Sequence, residues 1–300
     1  MIGSGSSVSP VMRYPKRHAT VLGKRMAYVE AGQGDPIVFL HGNVTSSFMW
    51  RNVIPHLEDL GRCIAIDNIG QGDSEKLQPS GPGSYRLAEH QRYVDGLLAV
   101  LNVERNVTFV LHDWGSQIGF TWAYDHPEAV KGIAYAQALV GNFAWDQWPP
   151  EVQALFKRFR SPEGEELVLQ QNFFVERILP AMVMRELTEA EMEEYRRPYR
   201  NPGEDRRPTL AWPRELPIES EPADVLEVIE RNSAWLAISQ IPKLFINAEP
   251  GAVLVGRHRD ICRSWPKQIE VTVRGLHYVH EDSPDEIGSA IRNWYESGLR

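Results

Sequence analysis

Short apolar runs at residues 37–40, 63–66, 107–111, 132–136, 243–246 and 269–273 are mostly separated by much longer stretches of mixed polarity. Strands joined by a tight turn pair antiparallel, whereas parallel neighbours need a crossover of about a dozen residues or more. The long separations therefore predict an α/β fold, a largely parallel sheet flanked by helices. An opening pair of runs at 19–22 and 24–29 flanks Gly23 and predicts a hairpin. After the sixth strand the rhythm stops. From residue 141 to about 217 the chain is rich in Glu and Arg and is broken by Pro149, Pro150, Pro180, Pro198, Pro202, Pro208 and Pro213. This segment predicts a helical cap, residues 141–217, inserted into a main domain of residues 1–140 and 218–300.

The run at 107–111 leads directly into His112-Asp113-Trp114-Gly115-Ser116. Hydrolases of the α/β class carry a nucleophilic serine on a sharp strand-to-helix turn with the pattern G-x-S-x-G. Here Asp113 stands in the serine's place, Gly115 is the downstream glycine, and Leu111 replaces the upstream one. A carboxylate with an ordinary pKa of about 3.9 is ionised at neutral pH. It attacks saturated carbon to give an alkyl ester without a base to activate it. An Asp after a strand also serves as a helix cap, so the neighbouring loops decide between the two roles.

Two such loops follow other strands. His41-Gly42-Asn43 comes after the run at 37–40, and Gly275-Leu276-His277-Tyr278 follows the last one. Ligands of open α/β sheets bind beyond the carboxyl ends of the strands, which would bring Asn43 and Asp113 to one crevice. The Asn43 carboxamide and the Trp114 indole are both N–H donors, suited to a departing anion. His277 completes the chain order nucleophile, acid, histidine and is the candidate base for hydrolysing the ester. His280, followed by Glu281-Asp282, reads as the surface start of the final helix.

Composition limits the alternatives. A formal net charge of −8 without a sustained basic run argues against nucleic acid or an anionic membrane as partner. No apolar stretch of about 18 residues is present. Cys63 and Cys262 are too few for a disulfide framework or structural zinc, and Cys63, in an apolar strand, predicts a buried thiol. No metal-ligand spacing or cofactor motif is found. Residues 1–7 lack the features of a signal peptide and read as a flexible lead, so a cytoplasmic, monomeric enzyme is expected.

Further passages carry a resemblance: Trp50-Arg51-Asn52-Val53-Ile54-Pro55-His56-Leu57, Arg207-Pro208-Thr209-Leu210 with Trp212-Pro213-Arg214, Asn247-Ala248-Glu249-Pro250-Gly251, and Glu281-Asp282-Ser283-Pro284-Asp285. With the three loops above, they make the chain resemble the haloalkane dehalogenases from about residue 20 to 297. The resemblance implies an α/β-hydrolase fold and conversion of a small halogenated hydrophobic substrate to alcohol, halide and a proton, with no cofactor. It implies Asp113 as nucleophile, His277 as base, Asn43 and Trp114 as the halide-binding pair, and their backbone N–H groups as an oxyanion hole. The implied substrate pocket is lined by Trp148, Phe156, Phe174, Met182, Trp212, Val253 and Leu276.

One position departs from this pattern. The acid that would orient His277 is Gln137, after the strand at 132–136, while the alternative acid position of other branches falls on Gly251. Glu249 is the nearest other ionisable residue. Gln137 is expected to accept a hydrogen bond from His277 without offsetting its charge. Three readings stay open beside the dehalogenase: a coelenterazine-using luciferase, which shares a stretch like Asn172 to Glu176; an epoxide hydrolase; and a ligand-binding pseudoenzyme. The epoxide hydrolase would need a proline where Val44 stands and cap tyrosines over the nucleophile. Tyr195 and Tyr199 lie in a charged run that reads as exposed.

Overall fold

The computed structural model describes residues 8–299; the lead at 1–7 lies outside the described residues. Eight strands form one sheet: β1 (Lys16–Val21), β2 (Lys24–Ala31), β3 (Pro36–Leu40), β4 (Arg62–Ile66), β5 (Val107–His112), β6 (Val130–Ala136), β7 (Lys243–Pro250) and β8 (Gln268–Gly275). Their order is β1-β2-β4-β3-β5-β6-β7-β8. β1 pairs with β2, and β2 with β4, antiparallel; β4 through β8 are parallel neighbours. Each expected run is a strand, several extended by one to four residues, except that Leu22, at the end of the first, falls in the hairpin turn.

Alternation along each strand feeds two cores. Val38, Leu40, Ile64, Ile66, Phe109, Leu111, Ile133 and Tyr135 point to one face, against helices Leu87–Val100 and Trp114–Asp125. Ile37, Phe39, Cys63, Ala65, Val110, Ala134 and Ala136 point to the other, packing with Ile287, Ile291 and Trp294 of helix Pro284–Gly298. With both faces covered, the central strands read as continuous apolar runs. Cys63 is buried and unpaired, as expected, and so is Cys262.

Every regular element from Trp145 to Glu215 is helical, and this stretch includes two π-helical segments, Glu165–Gln170 and Phe174–Ile178. Its ends close on each other: Phe143 N–H donates to the Pro217 carbonyl and Glu219 N–H to the Phe143 carbonyl, each at 2.9 Å. Phe159, Phe174, Val175, Leu179, Tyr195 and Tyr199 form a third core, to which the main sheet's loops add Val44, Phe48 and Tyr278. Among the described residues no helix is long and apolar enough to cross a membrane.

Candidate active site

Sheet register gathers the candidate residues. Leu40 pairs with Leu111, so the loop after β3 starts level with the one after β5. His112 pairs with Ala136, which sets Gln137 beside Asp113, and Pro250 pairs with Gly275, which sets Gly251 near the His277 loop. Asp113 has φ 52° and ψ −129°, a conformation that non-glycine residues rarely adopt. The turn survives because its surroundings leave no slack. A Cβ on Gly42 would run into the Asp113 carboxylate, and one on Gly115 into the Leu40 carbonyl. Leu111, at the expected upstream glycine, is accommodated by Gly119, where any Cβ would meet the Leu111 side chain.

The Asn43 backbone N–H donates to Asp113 Oδ2 at 2.7 Å, and the Trp114 N–H adds a second bond to the same carboxylate. Burial pushes the Asp113 carboxyl above its ordinary value, opposed by nearby His112 and these two N–H groups. The unperturbed value assumed from sequence is therefore corrected upward. The Asn43 side chain accepts from Val44 N–H at 2.8 Å and donates one of its two amide hydrogens to the Thr209 carbonyl at 3.3 Å. The Trp114 ring is buried and stacked on Trp212 at 4.8 Å. Trp212 is held by its indole N–H to Gln71 Oε1, at 3.1 Å.

His277 Nε2 lies 3.6 Å from Asp113 Oδ1, too long for a hydrogen bond but with the ring facing the carboxylate. Burial pushes His277 down to about 3, so its imidazole is neutral at physiological pH and, with its charged form disfavoured, a weak base. Its Nδ1 is buried without a hydrogen-bond partner. The role expected of Gln137 fails here for a specific reason. Its Oε1 accepts from Ala252 N–H at 3.1 Å and Val253 N–H at 2.9 Å, so the loop after β7 captures the oxygen meant for His277. What remains on the amide is a donor. Glu249 offers no substitute: its side chain is 58% exposed and lies beside Arg259.

Other expectations also need correction. His280 is not at the surface; it is 1% exposed, with both ring nitrogens unpartnered. It stands against Trp50 at 4.4 Å and His112 at 5.0 Å, because helix Val279–Asp282 packs against β8 and the turn at Ser47–Trp50. Tyr195 and Tyr199 are likewise buried, while the arginines beside them pair with distant carboxylates, Arg196 with Glu176 and Arg197 with Asp73. The Tyr195 hydroxyl donates to Glu281 and is not free to polarise an epoxide. His112, which the sequence places in the motif without a role of its own, ties the two loops together: its Nε2 bonds the His277 carbonyl at 2.8 Å.

Of the expected pocket residues, Trp212 lies behind Trp114, Leu276 adjoins His277, and Val253 contacts Gln137 through its backbone. Trp148 and Phe156 pack together at 4.7 Å, and Phe156 joins Phe174 and Met182 in the cap's core. Two open hollows, of about 390 Å³ at Gly141, Glu230 and Arg257 and about 580 Å³ at Phe173, Glu176 and Arg177, contain none of the candidate residues. Among the described residues no cluster of His, Cys, Asp or Glu has the arrangement of a metal site.

Residues 35–171 match the alpha/beta hydrolase fold family. A haloalkane dehalogenase of Sphingobium indicum is 55% identical over 92% of this chain and 93% of its own length. The chain belongs to the haloalkane dehalogenase family. The crystal structure of a haloalkane dehalogenase from Bradyrhizobium elkani, DbeA, superposes with a TM-score of 0.89 at 37% identity, covering 94% of this chain and 97% of that one. A coelenterazine h 2-monooxygenase of Renilla reniformis is also similar, at 40% identity over 88% of this chain and 84% of its own. The chain is thus an enzyme of the haloalkane dehalogenase family in which the oxygen of Gln137 is held by the amides of Ala252 and Val253.

Proposed function

We propose that this chain hydrolyses haloalkanes through an alkyl ester on Asp113, in a pocket between the main domain and a cap of residues 141–217. The observation that carries the reading is the asymmetric setting of the carboxylate: Oδ2 is held by the Asn43 N–H, while Oδ1 faces His277. Oδ1 attacks the halogen-bearing carbon, the carbon–halogen bond breaks, and the halide leaves toward the side-chain N–H groups of Asn43 and Trp114. The ester keeps Oδ2 as its carbonyl oxygen. His277 Nε2 then takes a proton from water, hydroxide adds to Cγ, and the negative charge that develops on Oδ2 falls on the two backbone N–H groups. Collapse returns the carboxylate and releases alcohol and a proton.

The two steps make different demands on this site. Alkylation transfers no proton, whereas ester hydrolysis makes His277 positively charged with no acceptor on Nδ1. Formation of the ester should therefore outrun its clearance. Mixed with 1-bromobutane, the protein should release a burst of about one equivalent of halide and then turn over slowly. Mass spectrometry should find one butyl adduct, on the peptide containing Asp113. An adduct elsewhere, or full activity in Asp113→Ala, overturns the reading. The similarity to a coelenterazine monooxygenase favours a second reading, an oxygenase, for which light emission with coelenterazine and no halide release is the signature.

A further inference from the structure

The turn that carries His277 is held from the cap as well as from the sheet. The Tyr278 N–H donates to the Met182 carbonyl at 3.1 Å. Asp282 uses one oxygen for the Leu276 N–H on its own turn, at 3.2 Å. The other oxygen accepts from the cap amides of Met184 and Arg185, at 2.7 and 3.2 Å. The Arg185 Nε donates to the Glu281 carbonyl at 2.6 Å. The residues flanking His277 are thereby stitched to residues 182–185.

Behind this seam lies a closed ring of charge. Arg51 and Arg185 each bridge Glu191 and Glu281, with contacts of 2.6 Å across all four pairings. Arg51 and Glu281 belong to the main domain, Arg185 and Glu191 to the cap. Arg51, Glu191 and Glu281 have side chains no more than 1% exposed. The remaining acceptor capacity is taken up by Thr188 N–H and Oγ1 on Glu191 and by the Tyr195 hydroxyl on Glu281. Such a buried network adds little net stability over an apolar filling of equal volume, so its presence calls for a geometric role. The base needs one, because the His277 Nδ1 has no hydrogen bond to fix the ring and its position depends on the backbone of its turn.

We propose that the cap positions the base: Asp282 and Arg185, through the seam at Leu276–Tyr278, and Glu191, through the charge ring, are positioning residues for ester hydrolysis. This rests on the reading of His277 as the water-activating base. A misplacement of about 1 Å at a reacting group costs about a hundredfold in rate. The bonds that tie the surroundings of Asp113 to the base's turn, His112 Nε2 to the His277 carbonyl at 2.8 Å and the Tyr278 hydroxyl to the Asn43 carbonyl at 3.4 Å, do not use Asp282, Arg185 or Glu191, so alkylation should be spared.

The test separates formation of the adduct from its loss, using halide release in rapid mixing and intact mass after excess 1-bromobutane is removed. Asp282→Asn trades one seam acceptor for a donor, and Arg185→Lys keeps the charge but loses the fork. Each should leave the burst rate within about twofold and slow adduct clearance by about tenfold or more. Running both substitutions also in the Gln137→Glu background keeps clearance measurable, and if Asp282→Asn does not fold, Arg185→Lys carries the comparison. Proportional loss of both phases, or unchanged clearance with only a lower Tm, overturns the proposal. His277→Phe separates the two readings. If its adduct clears at the unaltered rate, the base assignment falls and positioning with it; if clearance is lost there but kept in both seam variants, positioning alone falls.

Discussion

Gln137 is the residue on which the proposed hydrolysis step turns. Its single acceptor is shared by the N–H groups of Ala252 and Val253, and His277 Nδ1 is left without a bond. A glutamate at 137 has two oxygens: one keeps those backbone bonds and the other becomes available to the imidazole. A carboxylate about 4 Å from the imidazolium favours it by at most about 4 kcal/mol at an effective dielectric near 20. The related Asp-to-Asn change in a serine-protease triad costs about 10⁴ in kcat, in part through the wrong tautomer. Gln137→Glu is therefore expected to speed adduct clearance by about tenfold at the least and to leave the halide burst almost unchanged. Equal clearance in the two proteins, followed by intact mass, would show that His277 does not need this acceptor. Trp114→Phe keeps the ring stacked on Trp212 but removes the indole N–H, and should slow the burst about a hundredfold. An unchanged burst would mean that Trp114 only packs.

At the scale of elements, the strand–turn–helix unit around Asp113 is a matter of clearance. The positive φ of Asp113 persists because Gly42 and Gly115 let the loops after β3 and β5 approach closely. Gly115→Ala would press a methyl group into the Leu40 carbonyl, which is backbone and cannot rotate away. Its expected cost is about 2 kcal/mol or more, seen as a lowered midpoint in urea with an unchanged m-value. Gly298, likewise helical and without a positive φ, where an added Cβ meets nothing within 4 Å, is the matched control. If Gly115→Ala lost no more stability than Gly298→Ala, the close packing of the turn would have no energetic weight.

Across the whole molecule, buried histidines couple stability to pH. Burial pushes His41 down to about 4 and His90, His112 and His277 to about 3. In the unfolded chain each titrates near 6.5. Between these values the unfolded chain binds protons that the folded one refuses. The stability is thus fully present above about pH 6.5 and is lost as the pH falls toward 3, at up to about 1.4 kcal/mol per pH unit for each histidine. Thermal unfolding should show a Tm that declines steeply below pH 6.5 and levels off above it. His90, stacked on Trp212 at 4.2 Å, is one contributor, so His90→Phe should flatten the acid limb by about one proton. A Tm independent of pH between about 4.5 and 6.5 would mean that these imidazoles are charged in the native protein.

Local patterns were enough to determine the strands, the helical insertion and the turn at Asp113, because apolar runs of strand length, proline breaks and a strand-to-helix aspartate act over a few residues. The same holds for Asn43 and His277, each legible from its place just after a strand. Contacts between distant segments decided the rest. Nothing near Gln137 in sequence reveals that the amides of residues 252 and 253 would take its oxygen. Nor does the charged run around Tyr195 reveal that Glu191 would pair with Arg51, 140 positions away, and draw the tyrosine inside. A polar side chain's environment depends on which donors the fold delivers to it, and those donors lie on other strands and in the cap. The direction in which Gln137 and His280 face was therefore a property of the tertiary structure, whereas the place of Asp113 was a property of the sequence.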